Sequence, residues 1–141
     1  MVIGLGIDIV EVARVQKALR DSRALAERVF TLAERSYCEE RKRRYQHFAG
    51  RFAAKEAALK ALGTGWQEGI GWQDVEVLDG DLGKPELHLH GRAAERAKEL
   101  GGAKSHVSIS HAESHAVAVV VLEAAEEEHS APTEPTSPDP S

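Results

Sequence analysis

Two carboxylates and an ammonium, on Asp8, Glu56 and Lys60, suit the handling of a phosphorylated ligand together with a divalent cation. Asp8 stands on an apolar stretch spaced by Gly4 and Gly6, which leave room beside it for a bulky neighbour or a ligand. It reads equally as the cap of a helix that begins near Glu11 or Val12. Glu56 and Lys60 lie four apart within Arg51-Phe-Ala-Ala-Lys-Glu-Ala-Ala-Leu-Lys60, the spacing of an ordinary surface ion pair worth ~0.3–0.5 kcal/mol. The helix pattern offers a second reading. Phe48, Phe52, Glu56 and Lys60 recur every four residues, so both charges continue an aromatic stripe that should face packing. Charges on such a face need partners. A Mg²⁺ ion for Glu56 and a phosphate for Lys60 would supply them. Mg²⁺ takes one or two carboxylates, with waters and substrate phosphates completing its shell, which suits Asp8 with Glu56.

Two weaker motifs accompany these residues. Gly63-Thr64-Gly65 follows the helix and serves either as its C-cap or as a flexible donor to an anion. In His106-Val-Ser-Ile-Ser-His111, alternation puts His106, Ser108 and Ser110 on one strand face. That face is either the polar exterior of a sheet or a row of donors for phosphate or ribose. No Gly-x-Ser-x-Gly elbow surrounds Ser108 or Ser110, which argues against a serine hydrolase. His88, His90, His111 and His115 match no zinc spacing.

The elements that must position these groups follow from periodicity. Met1 to Val10 reads as a strand with Ile3, Leu5, Ile7 and Ile9 on a greasy face and Gly4, Gly6 and Asp8 on a face stripped of bulk. Glu11 to Arg20 reads as a helix with Val12, Val15 and Leu19 inward and Arg14, Lys17 and Arg20 outward. Helices are expected over Leu25–Arg44, Tyr45–Leu62 and Arg92–Leu100, the second ended by Gly63 and the third by Gly101-Gly102. Strands are expected over Asp74–Leu78, Glu86–His90, Lys104–Ser110 and Ala116–Leu122, with a turn at Asp79–Gly83. This order predicts an α+β domain with a mixed or antiparallel sheet.

Composition narrows the classes further. The length fits one domain, expected over residues 1–123. From 124 the chain is acidic and rich in Pro, Ser and Thr, a tail that cannot bury enough apolar surface to order itself. The single Cys38 excludes an internal disulfide and fits a reducing cytosol. Val2 to Val10 lacks the basic leader of a secretory signal. The longest apolar run, Ala116 to Leu122, is far short of the ~20 residues a membrane helix needs. A cytoplasmic protein without membrane attachment is expected. Residues 1–60 carry a net charge of +5, 61–123 carry −5 and 124–141 carry −5. The basic first part suits an anionic ligand or an acidic protein surface, or is simply a solvated helix surface.

The chain resembles the holo-[acyl-carrier-protein] synthases, the small 4′-phosphopantetheinyl transferase family. The resemblance rests on Gly4-Leu-Gly-Ile-Asp-Ile-Val-Glu11 and on Gly50-Arg-Phe-Ala-Ala-Lys-Glu-Ala57 continuing to Lys60 and Gly63-Thr-Gly65. Gly83-Lys-Pro85 and Ser108-Ile-Ser-His111 support it. His115 departs from the aromatic common at its position, and the acidic tail lies beyond the family's usual end. The resemblance implies transfer of 4′-phosphopantetheine from coenzyme A to a serine of apo acyl carrier protein, supporting fatty acid biosynthesis, with adenosine 3′,5′-bisphosphate as by-product. It implies a homotrimer with the pocket between adjacent protomers. Carried over, it makes Asp8 and Glu56 ligands of Mg²⁺ and Lys60 the neutraliser of the reacting phosphate. Arg51, Gly63, Thr64, Ser110 and His111 become candidates around the nucleotide and phosphates. Arg14, with Lys17, Arg20 and Arg23, would meet the acidic carrier protein. The serine's proton would pass to Glu56 directly, or to Asp8 or Glu56 through a metal-bound water.

Other classes fit less well. A two-metal phosphohydrolase would gather more carboxylates than this one pair. A non-catalytic module binding an acidic protein leaves Glu56 and Lys60 on an inward stripe unexplained. A nucleic-acid binder is disfavoured because residues 1–123 are near neutral and the basic stretch lacks interleaved aromatics.

Overall fold

A computed structural model describes residues 1–64 and 69–125 of the chain. The tail expected from 124 lies, from residue 126 onward, outside the described residues, as does Gly65. Two antiparallel β units pack on a long central helix. Strands β1 (Val2–Glu11), β4 (Gly102–His111) and β5 (His115–Ala124) form a sheet in the order β1-β5-β4, and β2 (Val75–Asp79) pairs with β3 (Pro85–Leu89). The helices are α1 (Val12–Asp21), α2 (Arg23–Val29), α3 (Leu32–Glu39), α4 (Arg44–Leu62) and α5 (Gly91–Glu99). The α+β expectation is met. Among the described residues no helix is long and apolar enough to cross a membrane.

The helix expected over Leu25–Arg44 is two helices and a turn. Thr31 ends the continuity by capping α3: its hydroxyl accepts from the Glu34 amide at 3.2 Å, and Glu34 Oε1 accepts from the Thr31 amide at 2.9 Å. This reciprocal capping box, written in the sequence as Thr31-Leu-Ala-Glu34, outweighs the helical periodicity on either side. The charged stretch expected to continue the helix instead turns over residues 40–43.

The face of β1 stripped of bulk is the buried one. A Cβ built on Gly6 would stand 1.8 Å from the Ala57 carbonyl oxygen, and one on Gly4 would stand 2.3 Å from that of Ala61. Alanines at 53, 54, 57, 58 and 61 make α4 thin enough for this approach, and they build the core with Val75, Val77, Ala118, Val120 and Leu122. The greasy face of β1 points the other way. Leu5, Ile7 and Ile9 are 64%, 59% and 64% exposed and stand beside Val121, Val119 and Val117 of β5. Across β5 the rows continue to His106, Ser108 and Ser110, so the sheet shows an apolar outer face with a polar margin.

Gly6→Ala should lower stability by about 3 kcal/mol, the upper range for overpacking, because the obstructing atoms are backbone; urea unfolding measures it, and a change below about 1 kcal/mol would contradict the close approach. Cys38 is fully buried, and that burial pushes its thiol up to about 12, with Arg51 opposing. The native protein should therefore resist alkylation by iodoacetamide at neutral pH and react fully once unfolded, as followed by mass spectrometry.

Candidate active site

Strand β1 and helix α4 together deliver the acid–lysine group. Asp8 shares the inner face of β1 with Gly6, and Lys60 reaches it from the last turn of α4. Lys60 Nζ is 3.0 Å from Asp8 Oδ1 and donates to the Ile7 carbonyl at 3.0 Å. Asp8 does not serve as the cap of the following helix. Its carboxylate meets Lys60, while the helix that follows is capped by Glu11 without a side-chain bond, and the Val12 amide donates to the Ser114 carbonyl at 2.9 Å. The Lys60 side chain is 55% exposed and Asp8 18%, so solvent reaches the pair. The stripe expected from Phe48 to Lys60 therefore emerges from the core along its length: Phe48 is buried, Phe52 and Glu56 are half-buried and Lys60 is exposed. A step of four residues overshoots a 3.6-residue turn by about 40°, and three such steps carry the stripe around the helix.

Asp8 and Glu56 line one cleft of about 650 Å³. It also holds Glu11, Arg14 and His115. Val15, Leu19, Leu25, Arg28, Val29, Phe52 and Trp72 line it as well, the Phe52 and Trp72 rings stacked with centroids 5.3 Å apart. His115 Nδ1 lies 2.8 Å from Ser114 Oγ at the rim.

The remaining expected residues lie elsewhere. Arg51 is buried on another side of α4, 3.9 Å above the Tyr37 ring, with Nη2 3.5 Å from Asp79 Oδ1 and, among the described residues, no hydrogen-bond partner for its Nε. His111 packs edge-on against His47, ring centres 5.0 Å apart, in a second cleft of about 380 Å³ that also holds Arg41, Lys42 and Arg43. Burial, then the charges of His111, Arg51 and Arg41, depress the pKa of His47, as expected in an electropositive pocket. Ser110 lies in the outer-face row of Ile9 and Val117, on the far side of the sheet from Asp8. Gly63 adopts the expected left-handed cap, at φ 74°, and its amide and that of Thr64 donate to the Leu59 carbonyl at 2.9 and 3.3 Å. Those two N–H groups thus serve the helix end.

On the basic helix, Arg14 stands at the cleft rim, Lys17 pairs with Asp21 at 3.0 Å, and Arg20 lies over the Tyr45 ring at 5.5 Å. Arg23 opens α2 at the surface. The histidines weighed for zinc do not gather: His88 pairs with Glu86 and His90 with Glu76, while His111 and His115 make the contacts above. Among the described residues no group of three or more His, Cys, Asp or Glu could hold a metal.

Residues not anticipated from the sequence include Trp72, His47 and the fully buried pair Lys55–Glu34. His47 stands four before Arg51 on one helix face, a spacing visible in the sequence. Lys55, which follows Ala53 and Ala54 on α4, carried a signal too, since a lysine on the apolar side of a helix must find a buried partner.

Known proteins match this chain over nearly all of the described fold. The family model of the 4′-phosphopantetheinyl transferase superfamily matches residues 4–120. A holo-[acyl-carrier-protein] synthase of Geobacter sp. (strain M21) is 51% identical over 124 residues, which cover 87% of this chain and 99% of that protein. The protein of the same name from Desulfovibrio desulfuricans is 53% identical over 125 residues, 88% of this chain and 99% of its own. Among solved structures, the Bacillus anthracis holo-(acyl-carrier-protein) synthase in complex with CoA (3′,5′-ADP) superposes with a TM-score of 0.74 at 40% identity, covering 89% of this chain and 99% of that one. The Helicobacter pylori enzyme in complex with coenzyme A gives 0.73 at 31% identity, covering 84% and 99%. With the family model spanning the acid–lysine group and both clefts, this chain belongs to the 4′-phosphopantetheinyl transferase superfamily.

Proposed function

We propose that the protein is a holo-[acyl-carrier-protein] synthase of the cytoplasm, transferring 4′-phosphopantetheine from coenzyme A to a serine of apo acyl carrier protein in support of fatty acid biosynthesis. The observation that carries this reading is a cleft lined by both Asp8 and Glu56, with Lys60 paired to the Asp8 carboxylate, that is also lined by Val15, Leu25, Phe52 and Trp72. A phosphorylated head beside an extended organic arm has that same combination of charged and less polar parts.

The residues fit a magnesium ion. Asp8 and Glu56 would hold it, and a site with two carboxylates suits a cation that completes its shell with water and phosphate. Bound there, Mg²⁺ supplies charge neutralisation on the phosphoryl oxygens. Lys60, exposed and long, meets a phosphate oxygen while keeping the Asp8 carboxylate oriented. The serine Oγ bonds to the β-phosphorus of coenzyme A, the bond from that phosphorus to the bridging oxygen breaks, and adenosine 3′,5′-bisphosphate leaves. The serine proton passes to the Glu56 carboxylate. Val15, Leu25, Phe52 and Trp72 take the pantetheine arm. On the rim, Arg14 with Lys17, Arg20 and Arg23 attracts the acidic carrier, which speeds encounter more than chemistry.

The nucleotide end of the donor belongs to Arg51, Ser110 and His111, with Gly63 and Thr64 as neighbours of the reacting end. In one chain Ser110 and His111 stand away from the acid cleft, and the outer sheet face beside them is an open apolar patch. A contiguous apolar patch of this kind marks an interface. The reading is therefore a homotrimer that buries Leu5, Ile7 and Ile9 and sets the His111 region of one protomer against the acid cleft of the next.

Incubation with Mg²⁺, coenzyme A and an apo acyl carrier protein should add phosphopantetheine to the carrier, seen by intact mass and abolished by EDTA. Coenzyme A consumed without modification of the carrier would instead indicate a hydrolase. Glu56→Gln and Asp8→Asn should each lower kcat/KM at least about a hundredfold, about 2.7 kcal/mol at 1.36 per decade, with folding retained; full activity in either removes it from the site. Arg14→Glu should raise KM for the carrier and leave that for coenzyme A unchanged, and equal losses would refute the division. For the assembly, Ile7→Glu should sediment as a monomer and lose at least about 90% of transfer; an active trimer would sink the interface.

A further inference from the structure

Lys55 and Glu34 are charged side chains with no solvent exposure, and the transfer chemistry uses neither. An ammonium has three donors, and here each finds an acceptor: Glu34 Oε1 at 2.8 Å, the Trp72 carbonyl at 3.1 Å, and the Val75 carbonyl. Glu34 is satisfied in turn. Its Oε1 also accepts the Thr31 amide at 2.9 Å, and its Oε2 accepts the Val77 amide at 3.0 Å. Burial pulls the Lys55 pKa down, and the Glu34 charge opposes that pull.

The two carbonyls bracket one short segment, the 3₁₀ turn Trp72–Asp74 and the first residue of β2. Gln73, between them, reaches the other way and donates to the Glu27 and Phe30 carbonyls at 2.7 and 3.2 Å. Residues 72–75 are thus held by α4 from within and by the carboxyl end of α2 from outside. Both attachments bear on the cleft. Trp72, its ring stacked on Phe52, lines the cleft, and so does α2 through Leu25, Arg28 and Val29.

We propose that Lys55 is a positioning residue for the donor's arm: neutralised by Glu34, its ammonium fixes residues 72–75 and thereby the width of the cleft at Trp72. The inference rests on the reading that this part of the cleft receives pantetheine. A buried ion pair is a weak device for stability alone, since replacing both partners by neutral residues of similar volume is often tolerated. A pair with only that purpose would leave no kinetic trace when so replaced.

The test uses the Glu34→Gln/Lys55→Met double variant in a Trp66→Phe background, where Trp72 is the remaining tryptophan. Compared with the Trp66→Phe parent, it should unfold cooperatively, emit at longer wavelength, and show KM for coenzyme A raised at least tenfold with KM for apo acyl carrier protein within twofold. Parental emission with both KM values unchanged, whatever happens to kcat, overturns the proposal. Gln73→Ala examines the same segment with the ion pair intact and guards against a double variant that does not fold. It should raise KM for coenzyme A at least threefold, and no rise there counts equally against the proposal. Failure of the transferase reading is separate, because the parent itself would then modify no carrier.

Discussion

The backbone of α4 lies directly against the glycines of β1, and the candidate site depends on that contact. With Gly6 under the Ala57 carbonyl and Gly4 under that of Ala61, strand and helix meet without intervening side chains. Glu56 and Lys60 each come one residue before a contact alanine, so both emerge near the same seam. Asp8 follows Gly6 by one strand period and arrives there too. Asp8 meets Lys60 and lines one cleft with Glu56 because the residues between strand and helix are too small to keep the two elements apart.

Two lysines of α4, each paired with a carboxylate from another element, illustrate how burial decides what a pair can do. Lys55 and Glu34 are wholly enclosed and saturated by backbone groups, so that pair has one arrangement. Lys60 and Asp8 lie at the same kind of distance but in contact with water, where an ion pair is worth ~0–1 kcal/mol. Such a pair yields readily to a phosphate or a cation. One pair is thus fixed inside and the other exchangeable at the surface, their lysines five residues apart on α4.

Much of this was legible from residue types. The spacing of Gly4, Gly6 and Asp8 and the long alanine-rich helix ended by Gly63 appear in the structure as read, because periodicity and glycine chemistry act locally. The break before α3 was also written locally, as Thr31-Leu-Ala-Glu34, but the periodic pattern on either side masked it. Other features needed three dimensions. That the greasy face of β1 is the open one, that Ser110 faces away from Asp8, and that Arg51 lies over Tyr37 all follow from which layer α4 occupies. Alternation says which residues share a face and is silent about what covers it. Lys55 shows the same limit: its burial was not anticipated, and its partner lies 21 positions earlier on another helix.

The pairing of β1 with β5 has a consequence for how the chain reaches this state. Ile7 stands opposite Val119 and Asp8 opposite Ala118, so the first strand waits for the last before its edge is filled. Closing so large a loop costs entropy that only the finished sheet recovers, which slows the search. During synthesis on the ribosome, β1 and the alanine face of α4 have emerged long before β5 exists. Until β5 arrives, an isoleucine-rich strand presents open hydrogen-bonding groups to its surroundings, the condition under which nascent chains associate wrongly and chaperones engage them.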